Sequence, residues 1–263
     1  MHTLAWILAA TALGGILSAA IAGLFLLLPT RVRARVLPHL VSFATGALLG
    51  AALLGLLPEA VEGVGLGRVQ EIGLALVAGI AVFFVLEKLL LWRHCHVEEC
   101  ETHTPTGHDH HRDRAAGTLV VFGDGVHNAL DGVLIAAAFL TDVRLGIVTA
   151  LAIMAHEIPQ EIGSFAVLLH AGMSWRRALI LNLASSLTSM LGGFAAYYAL
   201  RQALGLLPYA LSIAAASLLY IAVADLIPTL HRRTEVRHSA AQVVLIAAGI
   251  ALIAAMENHV HGI

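Results

Sequence analysis

Eight stretches of this chain are each about as long and as apolar as a lipid bilayer is thick, and few sequence features restrict a fold so severely. They run approximately over residues 4–28, 40–57, 72–91, 119–140, 145–169, 178–200, 206–230 and 240–256. A helix needs about 20 mostly apolar residues to cross the hydrocarbon core, and in lipid each segment must satisfy its own backbone hydrogen bonds. Only 12% of the residues are charged and 59% are hydrophobic, with a mean hydropathy of +0.86. A soluble domain carries roughly 25% charge. The reading is all-α: a polytopic membrane protein, a bundle of eight transmembrane helices forming a single domain over 1–263. Met1-His2-Thr3 carries no cation, so the first run is expected to be a retained span and not a cleaved signal. Gly and Ala crowd the spans, which suits close helix packing where apolar burial gives no drive.

Cations set the orientation. The loops after spans one, three, five and seven, with their flanks, hold Arg31, Arg33, Arg35, Lys88, Arg93, Arg112, Arg114, Arg176, Arg177, Arg232, Arg233 and Arg237. The other loops hold only Arg68, Arg144 and Arg201. By the positive-inside rule the odd loops are cytoplasmic and both termini lie outside, in the inner or plasma membrane of the cell. A net charge of -2 gives no electrostatic case for a nucleic-acid partner.

The one long link, 92–117, is a His-rich cytoplasmic loop without apolar periodicity, expected to be weakly ordered. It carries His94, Cys95, His96, Cys100, His103, His108, His110 and His111, a set able to capture metal inside the cell. Two cysteines are too few for a disulfide framework, and thiols on that side stay reduced.

Chemistry concentrates between Gly123 and Ser164. Asp124, His127, Asn128 and Asp131 stand at i, i+3, i+4 and i+7, one stripe of a helix. His156, Glu157, Gln160 and Glu161 form a second stripe, with Ser164 a turn beyond. Only the link Thr141-Asp142-Val143-Arg144 separates the two spans, so they should pair antiparallel. At 1.5 Å per residue both clusters lie about 20 Å from that turn. Carboxylates at membrane depth cost roughly 2.5–3.5 kcal/mol each on insertion scales. A divalent cation held among carboxylates and imidazoles offsets that cost, and His nitrogen with Asp or Glu oxygen suits zinc, with iron and manganese also accommodated. Pro159 lacks the amide that would bond the carbonyl of Ala155, and its ring bends the helix. A broken helix beside polar groups recurs in transporter sites. Asp124 and Glu161 also match in depth, on the cytoplasmic side of the cluster, as an exit route, a proton-coupled pair or a structural pair. Asp225 and Pro228 read as structural, Glu87 as an interface or paired residue, and Glu257, His259 and His261 as solvated tail.

The motifs HNALDG and HEIPQE, with YIAVADLIPTLH at Tyr220–His231, resemble the ZIP (Zrt-/Irt-like protein) family of divalent-metal transporters, bacterial-type. The resemblance covers nearly the whole chain. It implies a two-metal centre midway along the transport path. His127, His156 and Glu157 would serve one metal; Asn128 and Asp131 would serve the other and share Glu157. Gln160 stands where the family often places a bridging His or Glu, and a neutral amide is the weaker ligand. GLLPEA at Gly55–Ala60 resembles the second span, with Gly55 where many members have His. Asn182 and Ser185 stand as weak candidates for a sixth-span ligand. The resemblance also implies a homodimer and an elevator-like movement of spans one, four, five and six.

The expectation is an uptake transporter, not an enzyme: zinc first, with iron, manganese and cadmium as further cargo and no catalytic cofactor. Two rivals are weaker. HEIPQ is one residue from the H-E-x-x-H of zinc peptidases, but Gln160 replaces the second His and Pro159 disturbs the spacing. His127-x-x-x-Asp131 with a His-rich loop suggests a cation-diffusion exporter, but that class resembles a six-span chain with cytoplasmic termini and a soluble C-terminal domain. A structural scaffold leaves the buried carboxylates unexplained.

Overall fold

The protein is described by a computed structural model over residues 2–95, 110–231 and 236–261. Eight helical rods follow one another: α1 (His2–Leu26), α2 (Thr30–Val64), α3 (Val69–Cys95), α4 (His110–Thr141), α5 (Val143–His170), α6 (Trp175–Arg201), α7 (Leu204–His231) and α8 (Val236–His261). Among the described residues there is no strand. The chain is thus an all-α, multi-pass membrane protein, as its apolar runs predict. Seven of the rods are long and apolar enough to cross a membrane; α5 is the eighth rod and does not meet that measure. The reason is local: His156, Glu157, Gln160 and Glu161 lie within it and lower its hydropathy.

Several element boundaries differ from the sequence reading. Helix α2 begins at Thr30, ahead of its apolar run, so exposed Arg31 and Arg35 ride on its first turns. Long basic side chains at a span end reach the interface while their stems stay in the apolar zone. Helix α4 begins at His110, which makes 110–117 helical and not part of the 92–117 link; α3 likewise continues to Cys95. Of the expected metal-capture residues, His96, Cys100, His103 and His108 fall outside the described residues.

The rods sort into two packed groups. Helices α1, α4, α5 and α6 pack on one another, and so do α2, α3, α7 and α8; α2 against α5 is the main contact between the groups. Backbones approach very closely inside each group. A Cβ on Gly192 would lie 1.9 Å from the Ala129 carbonyl of α4, and one on Gly46 would lie 2.0 Å from the Ile246 carbonyl of α8. Such crossings let dispersion and packing replace the hydrophobic drive that lipid removes. Helices α3 and α8 are outermost, with 11% of their apolar stretches buried. Helix α3 is fastened to α7 by polar contacts: Tyr209 donates to Glu71, Tyr220 to Glu87, and Ser212 Oγ to the Ile72 carbonyl at 2.8 Å. Glu87 is therefore a paired residue.

Both α2 and α7 contain one π-helical turn, Ala51–Leu56 and Ile221–Leu226. Each ends two residues ahead of a proline, Pro58 or Pro228. There the amides of Leu57 and Ile227 bond carbonyls five residues back, on Ala52 and Ala222. A proline removes a donor and crowds the carbonyl four residues before it; widening the turn by one residue accommodates both. Helix α5, by contrast, runs unbroken through Pro159. The break expected there is absent, and the irregular turns lie on its neighbours.

Candidate metal centre

The pairing of α4 with α5 depends on one residue. Helix α4 stops at Thr141, and Asp142, in extended conformation, caps α5: its Oδ1 accepts from the amides of Arg144 at 2.7 Å and Leu145 at 3.2 Å. Such a cap contributes about 1 kcal/mol and fixes where α5 starts. The antiparallel pair then places His127 and His156 at one level, with their Nε2 atoms 3.4 Å apart. Asp131, one turn beyond His127, brings Oδ2 to 3.6 Å from His127 Nε2 and 3.4 Å from His156 Nε2. Glu157 Oε1 lies 3.7 Å from each of those nitrogens. All four donor atoms fall within 4.8 Å of one another.

These spacings fit a four-coordinate ion. Zinc bonds to nitrogen and oxygen of about 2.0–2.1 Å place neighbouring tetrahedral ligands roughly 3.3–3.4 Å apart, close to the observed 3.4–3.7 Å. The donors also lack other partners: Asp131 Oδ2 and both oxygens of Glu157 are buried without a hydrogen bond. A buried carboxylate without hydrogen bonds or counter-charge costs several kcal/mol. Only imidazoles stand in ion-pair range of these two carboxylates among the described residues. A divalent cation would supply the missing charge.

The other predicted residues divide. Asn128 is buried beside Asp131, and its amide donates to the Asp124 carbonyl at 3.0 Å. Gln160 lines the cavity beside His127 and His156, and its amide donates to Asp124 Oδ1 at 3.4 Å. Asp124 further accepts from Ser164 at 3.1 Å and from Ser185 at 2.7 Å. Glu161 is fully buried and accepts from Ser186 at 2.7 Å. Asp124 and Glu161 are therefore each held by a serine of α6 and not by one another.

Comparison with known proteins decides the family. A family model described as "ZIP Zinc transporter" matches residues 93–257, which include both polar motifs. The chain belongs to the ZIP family. It is 34% identical over 231 residues to zinc transporter ZIP13 of Pongo abelii, covering 82% of this chain and 66% of that protein. It is 33% identical over 250 residues to zinc transporter ZIP4 of Mus musculus, covering 72% of this chain but only 37% of that one. Mus musculus ZIP13 is 32% identical over 246 residues. Membership points to transport rather than catalysis.

In this ZIP chain two spaces meet the four donors from opposite sides. A cavity of about 500 Å³ touches His127, His156, Pro159 and Gln160, and continues past Asp124 and Ser164 to Leu37, Asp225 and Thr229. Those last residues lie toward the ends of α2 and α7 that adjoin the arginine-rich links. On the other side Asn128, Asp131, Glu157 and Ser189 border a space of only about 20 Å³, closed by Thr11, Gly14 and Gly15 of α1. Sequence reasoning missed two features here. Asp225, read as structural, lines the cavity from the π-helical turn of α7. Glu257, read as solvated tail, is buried against Gly55, with its Oε1 2.8 Å from where a Cβ of that glycine would lie. The lack of a side chain at Gly55 was the available signal for a neighbour filling that space.

Proposed function

We propose that this chain carries divalent metal, zinc first, from outside the cell to the cytoplasm, with His127, Asp131, His156 and Glu157 as the ligands of the transported ion. The observation that carries this reading is the convergence of four donor atoms within 4.8 Å, with buried carboxylate oxygens that have no other partner. The ion sheds water onto two imidazoles and two carboxylates, and the low dielectric strengthens their hold. Release runs past His127, whose side chain is 25% exposed while those of Asp131, His156 and Glu157 are 1–4% exposed. The wide cavity beyond it, walled by Asp124, Gln160 and Asp225, supports release toward the cytoplasm, and the tight closure by α1 supports an inward-facing state.

Asn128, sharing the narrow space with Asp131 and Glu157, supports a second, weaker metal position on the α1 side. Iron, manganese and cadmium are further cargo of the same donor set. Gln160 offers a neutral amide in place of the second His of a peptidase motif and donates to Asp124, which favours transport over hydrolysis. A homodimer and cytosolic metal capture by the His-rich segment complete the proposal. The division of the rods into two packed groups supports movement of α1, α4, α5 and α6 against the rest.

Proteoliposomes loaded with a zinc indicator test this directly. Zinc influx should be saturable and should fall to the level of protein-free vesicles for His127→Ala, His156→Ala and Glu157→Ala. Normal influx in all three variants would remove the proposed centre. The same vesicles with iron, manganese and cadmium, with and without a pH gradient, measure selectivity and coupling.

A further inference from the structure

An apolar groove of about 430 Å³ runs between α4 and α6, bordered by Phe122, Gly125 and Ala129 on one side and Ala184, Thr188 and Leu191 on the other. It faces outward: Phe122 is 59% and Leu191 70% exposed. Both hydroxyls at its rim are spoken for: Thr188 Oγ1 lies 2.6 Å from the carbonyls of Gly125 and Ser185, and Ser185 Oγ donates to Asp124 Oδ2 at 2.7 Å. Nothing in the groove invites water, and at this depth of a bilayer an apolar channel fills with hydrocarbon.

The cytoplasmic end of the groove has a distinct chemistry. Ala184, Thr188 and Leu191 continue backward through Leu181 to Arg177 at intervals of three and four, a single stripe of α6. From Arg177 to Leu191 that stripe spans about 21 Å, enough to cross one leaflet's share of the roughly 30 Å hydrocarbon core. Arg177 and its neighbour Arg176 are exposed, and Trp175 is 38% exposed beside them. A Trp followed by two Arg marks the headgroup level. Helix α6 starts there, with Ser174 as its cap and no acidic residue in its first turn, so its positive end and both guanidinium groups have no acid on the first turn to balance them.

We propose that the α4–α6 groove is a binding site for an anionic phospholipid of the cytoplasmic leaflet, its phosphate at Arg176 and Arg177 and one acyl chain along Ala184, Thr188 and Leu191. The site does not depend on which ion the protein carries. It does bear on the metal path, because Ser185, bordering the groove, donates to the Asp124 carboxylate at 2.7 Å, and Asp124 lines the cavity below the metal centre. An acyl chain seated there holds α4 and α6 in the register that this bond needs.

The test uses the full chain in phosphatidylcholine vesicles containing phosphatidylglycerol, with a photoactivatable diazirine on the acyl chain of one lipid or the other. After illumination, labelled peptides are located by mass spectrometry. Label from phosphatidylglycerol should concentrate on residues 122–129 and 184–191, about tenfold above label from phosphatidylcholine, as expected of two arginines facing an anionic headgroup. The double variant Arg176→Gln/Arg177→Gln should lower phosphatidylglycerol labelling to the phosphatidylcholine level while eluting as wild type. Ala184→Phe should block both. Equal labelling by the two lipids, indifference to the arginine changes, or a second copy of the chain cross-linked at this stripe would each overturn the proposal.

Discussion

Asp131 and Glu157 are buried, with donor oxygens within 4.8 Å of each other, so the charge at this centre depends on what lies between them. Ion binding and stability are therefore linked. At a free zinc concentration 100-fold above Kd, the folded state should gain about 2.7 kcal/mol, read as a zinc-dependent rise in Tm that Asp131→Ala abolishes. Asp124 supplies a second test at this scale. Ser185→Ala removes a charge-assisted hydrogen bond of 2.7 Å and should cost about 1.5–3 kcal/mol, seen as a lower Tm with the zinc-dependent rise retained. Gln160 is the residue where position and contact diverge: its motif position suggests a ligand, but its amide reaches Asp124. Gln160→His should add an imidazole beside the donor group, tighten zinc binding and slow turnover; faster transport would contradict this. The convergence of His127, Asp131, His156 and Glu157 was largely legible from intervals of three, four and seven residues, because helical periodicity fixes which side chains share a face. The bonds from Ser185 to Asp124 and from Ser186 to Glu161 were not, since these serines come from α6, whose rotation about its axis the sequence does not set.

The helices themselves show the same division. Apolar runs located every rod, and the short polar link located the α4–α5 turn. The cap at Asp142 predicts that Asp142→Ala costs about 1 kcal/mol in chemical denaturation, with the ligand set otherwise intact. Close packing gives a sharper contrast. Gly192→Ala would drive a methyl into the Ala129 carbonyl, 1.9 Å away, and should destabilise by about 3 kcal/mol or more. Gly14→Ala, with nothing within 4 Å, should leave the melting temperature unchanged. The π-helical turns of α2 and α7 had a partial signal in Leu57-Pro58 and Ile227-Pro228. Pro159 carried the same signal in α5 without the same result, so a proline alone does not determine which way a ladder adjusts.

Across the whole molecule, the two groups of helices meet chiefly where α2 crosses α5, in an apolar cluster that includes Leu40 and Ile162. If transport requires one group to slide past the other, fastening this crossing should stop it. Cysteines at Leu40 and Ile162, in a chain with Cys95 and Cys100 changed to serine, bridged by a bifunctional thiol reagent, should abolish zinc influx while leaving zinc binding measurable. Unchanged influx in fully cross-linked protein would exclude that movement. The sequence by itself determined the number of rods, the membrane class and the pair of stripes that carry the candidate ligands. All of these follow from hydrophobicity, charge and period along one chain, which are local properties. Tertiary structure decided the separations of 3.4–3.7 Å among four donors, the turning of Gln160 toward Asp124, the burial of Glu257 and the side on which the cavity opens. Those depend on how far each rod is rotated and slid against the others, and that is settled only when glycines, serines and prolines from distant parts of the chain meet.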